Sequence, residues 1–175
     1  MSDDRIEGYA RGLFEVARAE GSLDQVEQEL FRFAQAFEAS RALRTKLSDE
    51  TIPVDRRLAI IQDLLGEKAS ATTVQLISMV VGAGRAKDLP KIADRLVHRA
   101  SASKHLEVAE VRTAWPLREN EKERLSVALA TATGKQLNIK YVLDPSVLGG
   151  VVATIGDDVI DGSIRTRLDQ LKSRL

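Results

Sequence analysis

The amino-acid sequence predicts a helical unit followed by a smaller α/β unit. Two observations support this division. Up to residue 105, apolar residues recur every three or four positions, which is the spacing of one helix face. Beyond that point, apolar and polar residues alternate in short stretches, which is typical of half-buried strands. We therefore expect a six-helix bundle over 1–105 and a β-α-β-β-β-α unit over 106–175.

Two apolar stripes mark the first two helices. Gly21 separates them, and we expect the Ser22 hydroxyl to cap the second helix. The stripe of the first helix consists of Ile6, Ala10, Leu13, Phe14 and Ala17. The stripe of the second consists of Leu23, Val26, Leu30, Phe33 and Phe37.

The next four helices are shorter. A third is expected from Ala39 to Leu47, and a fourth begins with Pro53 in its first turn and ends at Gly66. The fifth, from Ser70 to Ala83, is apolar almost all round, which predicts a central position. The sixth helix is marked by Leu89, Ile92 and Leu96.

The second unit begins with a strand from Leu106 to Ala114. A helix from Glu119 to Thr133 follows, ends at Gly134, and is expected to pack through one face. The residues of that face are Leu125, Ala128, Leu129 and Ala132.

A second strand, 137–143, alternates apolar and polar residues and precedes a hairpin. Gly149 and Gly150 open the third strand, where we expect them to let another backbone approach closely. The turn lies at Gly156-Asp157-Asp158, and Val159-Ile160 resume the sheet. Asp161, with Gly162-Ser163, is interpreted as the turn and cap of a last helix over 164–175.

The composition excludes several classes of function. The 175 residues contain no cysteine, which excludes disulfides, thiolate catalysis and cysteine–zinc sites. The 26 Lys+Arg balance the 26 Asp+Glu, so general affinity for nucleic acid is not expected. No apolar run is long enough to span a bilayer, and no signal peptide is visible. The composition indicates a cytosolic, soluble protein.

The neutral total conceals an uneven distribution of charge. Residues 1–29 contain three basic and eight acidic side chains, whereas residues 85–104 contain six basic and two acidic ones. The simpler interpretation is that the acidic first helices and the basic sixth helix lie close together. A docking patch is the alternative.

No motif for catalysis or for a cofactor is present. Gly134-Lys135 lacks the earlier glycine of a phosphate-binding loop, and Gly149-Gly150 lacks the third glycine of a dinucleotide-binding loop. His98 and His105 are seven residues apart, not the four that place two zinc ligands on one helix turn. We predict no catalytic residue, no metal and no cofactor.

The first and fifth helices carry more apolar surface than one buried stripe needs. Two such faces side by side would form a groove for an amphipathic helix, with a methionine as an adaptable contact. The alternative is that both faces are buried inside the bundle. The candidate groove residues are Tyr9, Gly12, Leu13, Val16, Thr72, Gln75, Met79 and Gly82.

Three segments resemble the delta subunit family of F-type ATP synthases, called OSCP in mitochondria. The first is Tyr9 to Ala17, similar to Y-A-x-A-L-F-x-x-A. The second is Gly84-Arg85 with Leu89-Pro90 and Ile92, similar to G-R-x-x-x-L-P-x-I. The third resembles D-x-x-x-x-G-G, G-D and I-D-x-S-x-R-x-x-L, carried by Asp144, Gly149, Gly150, Gly156, Asp157, Asp161, Gly162, Ser163, Arg165 and Leu168.

The resemblance implies a non-catalytic subunit of the peripheral stalk. In the family, this subunit joins the α3β3 catalytic head to the b subunits, so that the head does not rotate with the rotor. It also implies that the groove between the first and fifth helices holds the N-terminal helix of an α subunit. A glycine at position 12 departs from the usual alanine of the family motif.

Further expectations follow from the resemblance. The C-terminal unit would contact the b subunits, and the candidate surface consists of Ile164, Leu168, Leu171 and Leu175. The β subunit is a further candidate partner. The complex would place the chain at the cytoplasmic face of a bacterial plasma membrane, without insertion. Some actinobacterial relatives carry a b-like segment ahead of delta. This sequence does not include one, and whether the native gene carries it stays open.

Three other functions remain open from the residues alone. An adaptor unrelated to ATP synthase could use the same groove for another helix. An enzyme would need convergent titratable groups in a pocket, for which no candidate cluster is found. Nucleic-acid binding through residues 85–104 is disfavoured, since aromatic residues are not interleaved with the basic ones.

Overall fold

The computed structural model describes residues 2–162 and divides into two compact units, Met1–Ala100 and Ser101–Leu175. The predicted mixture of helices and sheet is confirmed, since the described residues form seven α-helices and one four-stranded sheet. The first six helices are α1 (Ser2–Ala19), α2 (Leu23–Ala39), α3 (Arg41–Ser48), α4 (Val54–Leu65), α5 (Ala71–Gly82) and α6 (Leu89–Ser103). A short 3-10 helix, Ala86–Asp88, precedes α6.

The second unit contains β1 (Glu107–Thr113), α7 (Glu119–Thr133), β2 (Leu137–Leu143), β3 (Val151–Ile155) and β4 (Asp158–Asp161). The predicted last helix, 164–175, lies outside the described residues. Within residues 2–162, no helix combines the length and the apolar character that crossing a membrane requires.

The core of the first unit is built around α5, which packs against α1, α2 and α4. Ile77, Val80 and Val81 of this helix are fully buried. Not every side of α5 is covered, however, because Met79 is 49% exposed. The helix therefore buries most of its surface and leaves one narrow strip at the surface.

A buried carboxylate anchors the start of α5. Oε2 of Glu29 accepts hydrogen bonds from the Ser70 backbone N–H at 2.9 Å, the Ser70 hydroxyl at 2.8 Å and the Thr73 hydroxyl at 2.5 Å. Gln25 donates to Oε1 at 3.0 Å. Burial raises the pKa of Glu29, but the hydrogen bonds from Thr73, Ser70 and Gln25 outweigh it and hold that pKa below its ordinary value.

Two details at helix starts differ from the sequence predictions. The Ser22 hydroxyl makes no capping hydrogen bond to α2 and instead donates to the Ala17 carbonyl at 3.4 Å. Pro53 precedes the first turn of α4 as its N-cap. The side chains of Ser40 and Ser70 do cap α3 and α5, by accepting from the backbone N–H groups three residues later.

The sheet of the second unit has the strand order β2-β1-β3-β4. Strands β1 and β2 run parallel and are connected through α7, whereas β3 is antiparallel to both β1 and β4. The helix packs on the face that carries Val111 and Ala153, and its buried contact is Leu129. Of the four residues predicted for the packing face of this helix, Leu125 and Leu129 pack as expected, whereas Ala128 and Ala132 are exposed, so their inclusion is wrong. Positions 125 and 129 lie one turn apart on the stripe that faces the sheet, whereas positions 128 and 132 lie on the neighbouring stripe.

The predicted hairpin is present, with Gly156-Asp157 between β3 and β4. Gly149 and Gly150 have φ angles of 60° and 97°, which L side chains rarely adopt. Backbone conformation therefore gives one reason for glycine at these two positions, and the predicted close approach of another backbone stays a prediction. Asp161 is the last residue of β4, paired with Val152. The turn and helix cap predicted from Asp161 onwards extend beyond residue 162, outside the described residues, and stay a prediction.

Candidate functional site

Helices α1 and α5 lie side by side and run in opposite directions. Thr72 at the start of α5 donates a hydrogen bond of 2.6 Å to Oε2 of Glu20, directly after the end of α1. Near the opposite ends of the two helices, Arg5 of α1 and Arg85, which follows α5, line the same cavity. This arrangement leaves an open groove along the surface between the helices, hereafter the α1–α5 groove.

The cavity in the α1–α5 groove has a volume of about 540 Å³. Its lining is formed by Arg5, Gly8, Tyr9, Gly12, Met79 and Arg85. Gly8 and Gly12 add no side chain to this surface, and a β-carbon built at either position would meet no atom within 4 Å. A partner backbone can therefore approach α1 closely at these two positions. The lining residues of α1 run from Arg5 to Gly12, a rise of about 10 Å, so about two turns of a second helix match the cavity in length.

Three of the predicted groove residues, Tyr9, Gly12 and Met79, line the cavity together. Val16 lies farther along α1 and is 43% exposed. Gln75 is exposed, and Thr72 and Gly82 are partly exposed on α5. The alternative prediction, that both faces are buried inside the bundle, is therefore wrong, because these residues are exposed or partly exposed.

Leu13 does not belong to the groove. It is 0% exposed and packs in the core with Ala10 and Ala17 of the same helix. The physical reason is the helical period, since positions 10, 13 and 17 form one stripe, whereas positions 9, 12 and 16 form the neighbouring one. The inclusion of Leu13 among the groove residues is therefore wrong.

Three lining residues were not predicted: Arg5, Gly8 and Arg85. Arg5 and Gly8 follow from the spacing, because they lie four residues before Tyr9 and Gly12 and so continue the same stripe. Arg85 could not be found in this way. It comes after the end of α5, in a turn where Gly84 has a φ of 72°, and helical periodicity does not apply there.

Among the described residues, an ion pair connects the acidic N-terminal helix to the basic sixth helix. Arg99 Nε donates to Oε1 of Glu7 at 2.7 Å, and its Nη2 contacts the same oxygen. His98 faces Asp94 of its own helix, at 3.7 Å. One contact of the predicted kind is therefore present, formed by residues that are each about one-third to two-fifths exposed.

The C-terminal motif residues in the described range shape turns. Asp144 accepts hydrogen bonds from the Ser146 hydroxyl at 2.6 Å and from its backbone N–H at 2.9 Å. These bonds, with the nearby guanidinium of Arg112, hold the pKa of the Asp144 carboxyl below its ordinary value. Gly156 occupies the hairpin turn at a φ of 59°, and the Gly162 N–H donates to the Val151 carbonyl at 2.9 Å.

The remaining motif and contact residues, Ser163, Ile164, Arg165, Leu168, Leu171 and Leu175, lie outside the described residues. Their predicted roles stay predictions. In the part of the chain that is described, no group of three or more His, Asp or Glu side chains is arranged to hold a metal ion. What the α1–α5 groove offers chemically is apolar contact with a row of small residues, which suits an α-helix.

The chain therefore belongs to a class of two-unit proteins with mixed helices and sheet. Its helical unit carries a surface groove, and a small α/β unit follows. Comparisons with known proteins narrow this class. The family model described as ATP synthase delta (OSCP) subunit matches residues 6–175. The chain belongs to the ATP synthase delta (OSCP) subunit family.

Curated relatives agree with this family. The chain is 40% identical over 159 residues to the ATP synthase subunit delta of Streptomyces avermitilis, covering 91% of this chain and 58% of that protein. It is 35% identical over 167 residues to the subunit delta of Desulforudis audaxviator, covering 95% and 92% respectively. The chain thus spans less than two-thirds of the length of the first relative and nearly all of the second.

Solved structures share the fold. A chain of the Toxoplasma gondii mitochondrial ATP synthase hexamer matches with a TM-score of 0.59 at 24% identity, over 97% of this chain and 96% of that one. A chain of the Polytomella F-ATP synthase matches with a TM-score of 0.52 at 28% identity, over 57% of this chain and 88% of that one.

Proposed function

We propose that this chain is a non-catalytic subunit of the peripheral stalk of an F-type, proton-translocating ATP synthase. In this role it links the α3β3 catalytic head to the b subunits, so that the head does not rotate with the rotor. Coupling of proton flow to ATP synthesis then depends on the link. Membership of the delta family supports this proposal, and the α1–α5 groove is the observation that carries it.

The proposed occupant of the groove is the N-terminal helix of an α subunit. Tyr9 and Met79 offer apolar surface from two helices, and Gly12 between them lets a second backbone come close. A methionine suits such a contact because its unbranched side chain adapts to different partners. Val16 extends the apolar strip along α1.

The mechanism of a stator subunit is mechanical. Torque on the head must be resisted by a tether that stays bound through many catalytic turnovers. Slow dissociation is therefore needed, and burial of an amphipathic helix in an apolar groove can supply it. No step of this mechanism requires a nucleotide, a proton or a metal to bind to the chain.

The C-terminal unit would complete the link by contacting the b subunits. The candidate contact residues remain Ile164, Leu168, Leu171 and Leu175. The β subunit is a further candidate partner. As part of this complex, the chain would lie at the cytoplasmic face of a bacterial plasma membrane without inserting into it.

Purification and a coupling assay test the proposed function. A tagged chain expressed in its native cells should co-purify with α, β and b subunits. Membranes from cells that lack the chain should hydrolyse ATP without the proton pumping that hydrolysis normally drives. Purification without those subunits, or full proton pumping in its absence, would contradict the proposal and favour an unrelated adaptor.

A further inference from the structure

The lining of the α1–α5 groove has an uneven charge. Its two charged members, Arg5 and Arg85, are both cations, and none of the six lining residues is acidic. The remaining four are Gly8, Tyr9, Gly12 and Met79. A purely apolar helix would leave both guanidinium groups beside a surface that offers them no acceptor.

The two arginines lie at one end of the groove. Thr72 and Glu20 are hydrogen bonded at the opposite end, which establishes that α1 and α5 are antiparallel. Arg5 is in the first turns of α1 and Arg85 follows the end of α5, so the antiparallel arrangement brings them to the same end. Both cations that line the cavity therefore lie at one end of the groove, and Glu20 lies beyond the other end of the lining.

Neither arginine is strongly engaged by a carboxylate within the described residues. Within residues 2–162, the carboxylate paired with Arg85 is that of Asp88 at 3.8 Å, near the outer limit for a salt bridge, and both side chains are partly exposed. Arg5 forms no ion pair with a residue in 2–162, although Asp3 and Asp4 occupy the same first turns of α1. Neither aspartate lines the cavity.

We infer that the α1–α5 groove selects an amphipathic helix that carries a carboxylate beside its apolar stripe, and that Arg5 and Arg85 bind this carboxylate. The inference rests on the proposed function, since the occupant is the α-subunit helix proposed above. Apolar contacts with Tyr9 and Met79 provide most of the binding affinity. The arginine pair determines which acidic helix is accepted and in which direction it lies, because only one end of the groove is basic.

The probe is a synthetic peptide of the first 20 or so residues of the α subunit encoded by the same genome, titrated into the full chain. Arg5→Gln and Arg85→Gln should each weaken binding by about two- to five-fold at low ionic strength, the range expected for one exposed ion pair. The loss should shrink in 0.5 M salt, because exposed charges are then screened. Arg11→Gln, an exposed arginine of α1 outside the cavity, is the matched control and should bind as the original chain does.

A second peptide shows whether the arginine substitutions weaken binding by removing a charge contact or by disturbing the fold of the chain. With its Asp and Glu residues changed to amides, it should bind the original chain more weakly, and the arginine substitutions should then cause little further loss. Arg5→Gln and Arg85→Gln variants that bind as tightly as Arg11→Gln would overturn the inference. It would also be overturned if the arginine substitutions reduced the affinity for the amide peptide by the same factor as for the acidic peptide.

These outcomes are distinguishable from a failure of the proposed function. Binding that Met79→Asp abolishes and that the arginine variants leave unchanged would overturn the inference alone. A peptide that does not bind the original chain would overturn both. Sedimentation that reveals a dimer weakened by Arg5→Gln would instead indicate a second copy of the chain in the groove, and would also overturn the inference.

Discussion

Thr72 and Glu20, 52 residues apart in the chain, are joined by a hydrogen bond of 2.6 Å between the start of α5 and the end of α1. The bond shows which ends of the two antiparallel helices are neighbours, while buried side chains of α1 and α5 pack them together in one core. The sequence alone predicts the two apolar faces, but it does not show that the two helices are neighbours. Periodicity finds the faces, whereas long-range contacts decide whether they become neighbours.

Gly12→Ala should stabilise the chain. Gly12 is in the interior of α1, is exposed, and has open space where a β-carbon would be. Alanine should therefore raise the free energy of unfolding by about 0.5–1 kcal/mol, because glycine loses more conformational freedom in a helix. Urea unfolding of the two proteins measures this difference.

Gly134→Ala provides the matched control for that experiment. Its β-carbon would also meet no atom within 4 Å, but the φ of Gly134 is 66°. The same substitution should here lower the free energy of unfolding by about 1–2 kcal/mol, because alanine is strained in the left-handed region. Equal effects of the two substitutions would contradict this explanation.

Glu29→Gln should destabilise the chain by about 1–3 kcal/mol at pH 7. The carboxylate accepts hydrogen bonds from Ser70 and Thr73 at the start of α5, and a neutral amide accepts them less strongly. Glu67→Gln, at an exposed position, is the control and should leave the midpoint of urea unfolding within experimental error.

The effect of Glu29→Gln should depend on pH. Because the pKa of Glu29 is lower in the folded chain than its ordinary value of 4.5, ionisation of this carboxyl favours folding. The contribution is fully present above the unfolded pKa and is lost as the pH falls through the lowered folded pKa. The stability difference between the two proteins should accordingly narrow as the pH falls below about 4. A difference that is constant from pH 7 to pH 3 would show that the charge is not responsible.

The ion pair between Arg99 and Glu7 should contribute only modestly to the free energy of unfolding. Both side chains are partly exposed, so a double-mutant cycle with Arg99→Gln and Glu7→Gln should give a coupling of at most about 1 kcal/mol. In 1 M salt the coupling should fall towards zero. A coupling that salt leaves unchanged would indicate packing of the two side chains and not attraction between charges.

Much of the fold could be predicted from local patterns. The helix from Glu119 to Thr133 and the hairpin around Gly156 are present as expected, because capping, periodicity and turn chemistry depend on nearby residues. The cap predicted at Ser22 was wrong. A capping serine has extended backbone angles and its oxygen accepts from an N–H group of the first helical turn, whereas Ser22 has a ψ of 15° and its hydroxyl donates to the Ala17 carbonyl.

The candidate site could be predicted in part. Tyr9, Gly12 and Met79 were recognised because they repeat along helices. Leu13 was misassigned, since a shift of about one hundred degrees around a helix separates core from groove. Arg85 was missed as a lining residue because a turn, and not a period, brings it to the cavity.

The most direct test of the central claim is calorimetric titration of the α-subunit N-terminal peptide into the full chain and its Met79→Asp variant. Met79 lines the cavity and is 49% exposed, so an aspartate there should fold normally yet place a charge beneath the bound helix. We expect affinity to fall by about tenfold or more, whereas Met79→Leu and Val127→Asp, an exposed apolar position of the second unit, should retain it. An affinity of the Met79→Asp variant equal to that of the original chain would contradict the assignment of the α1–α5 groove as the binding site.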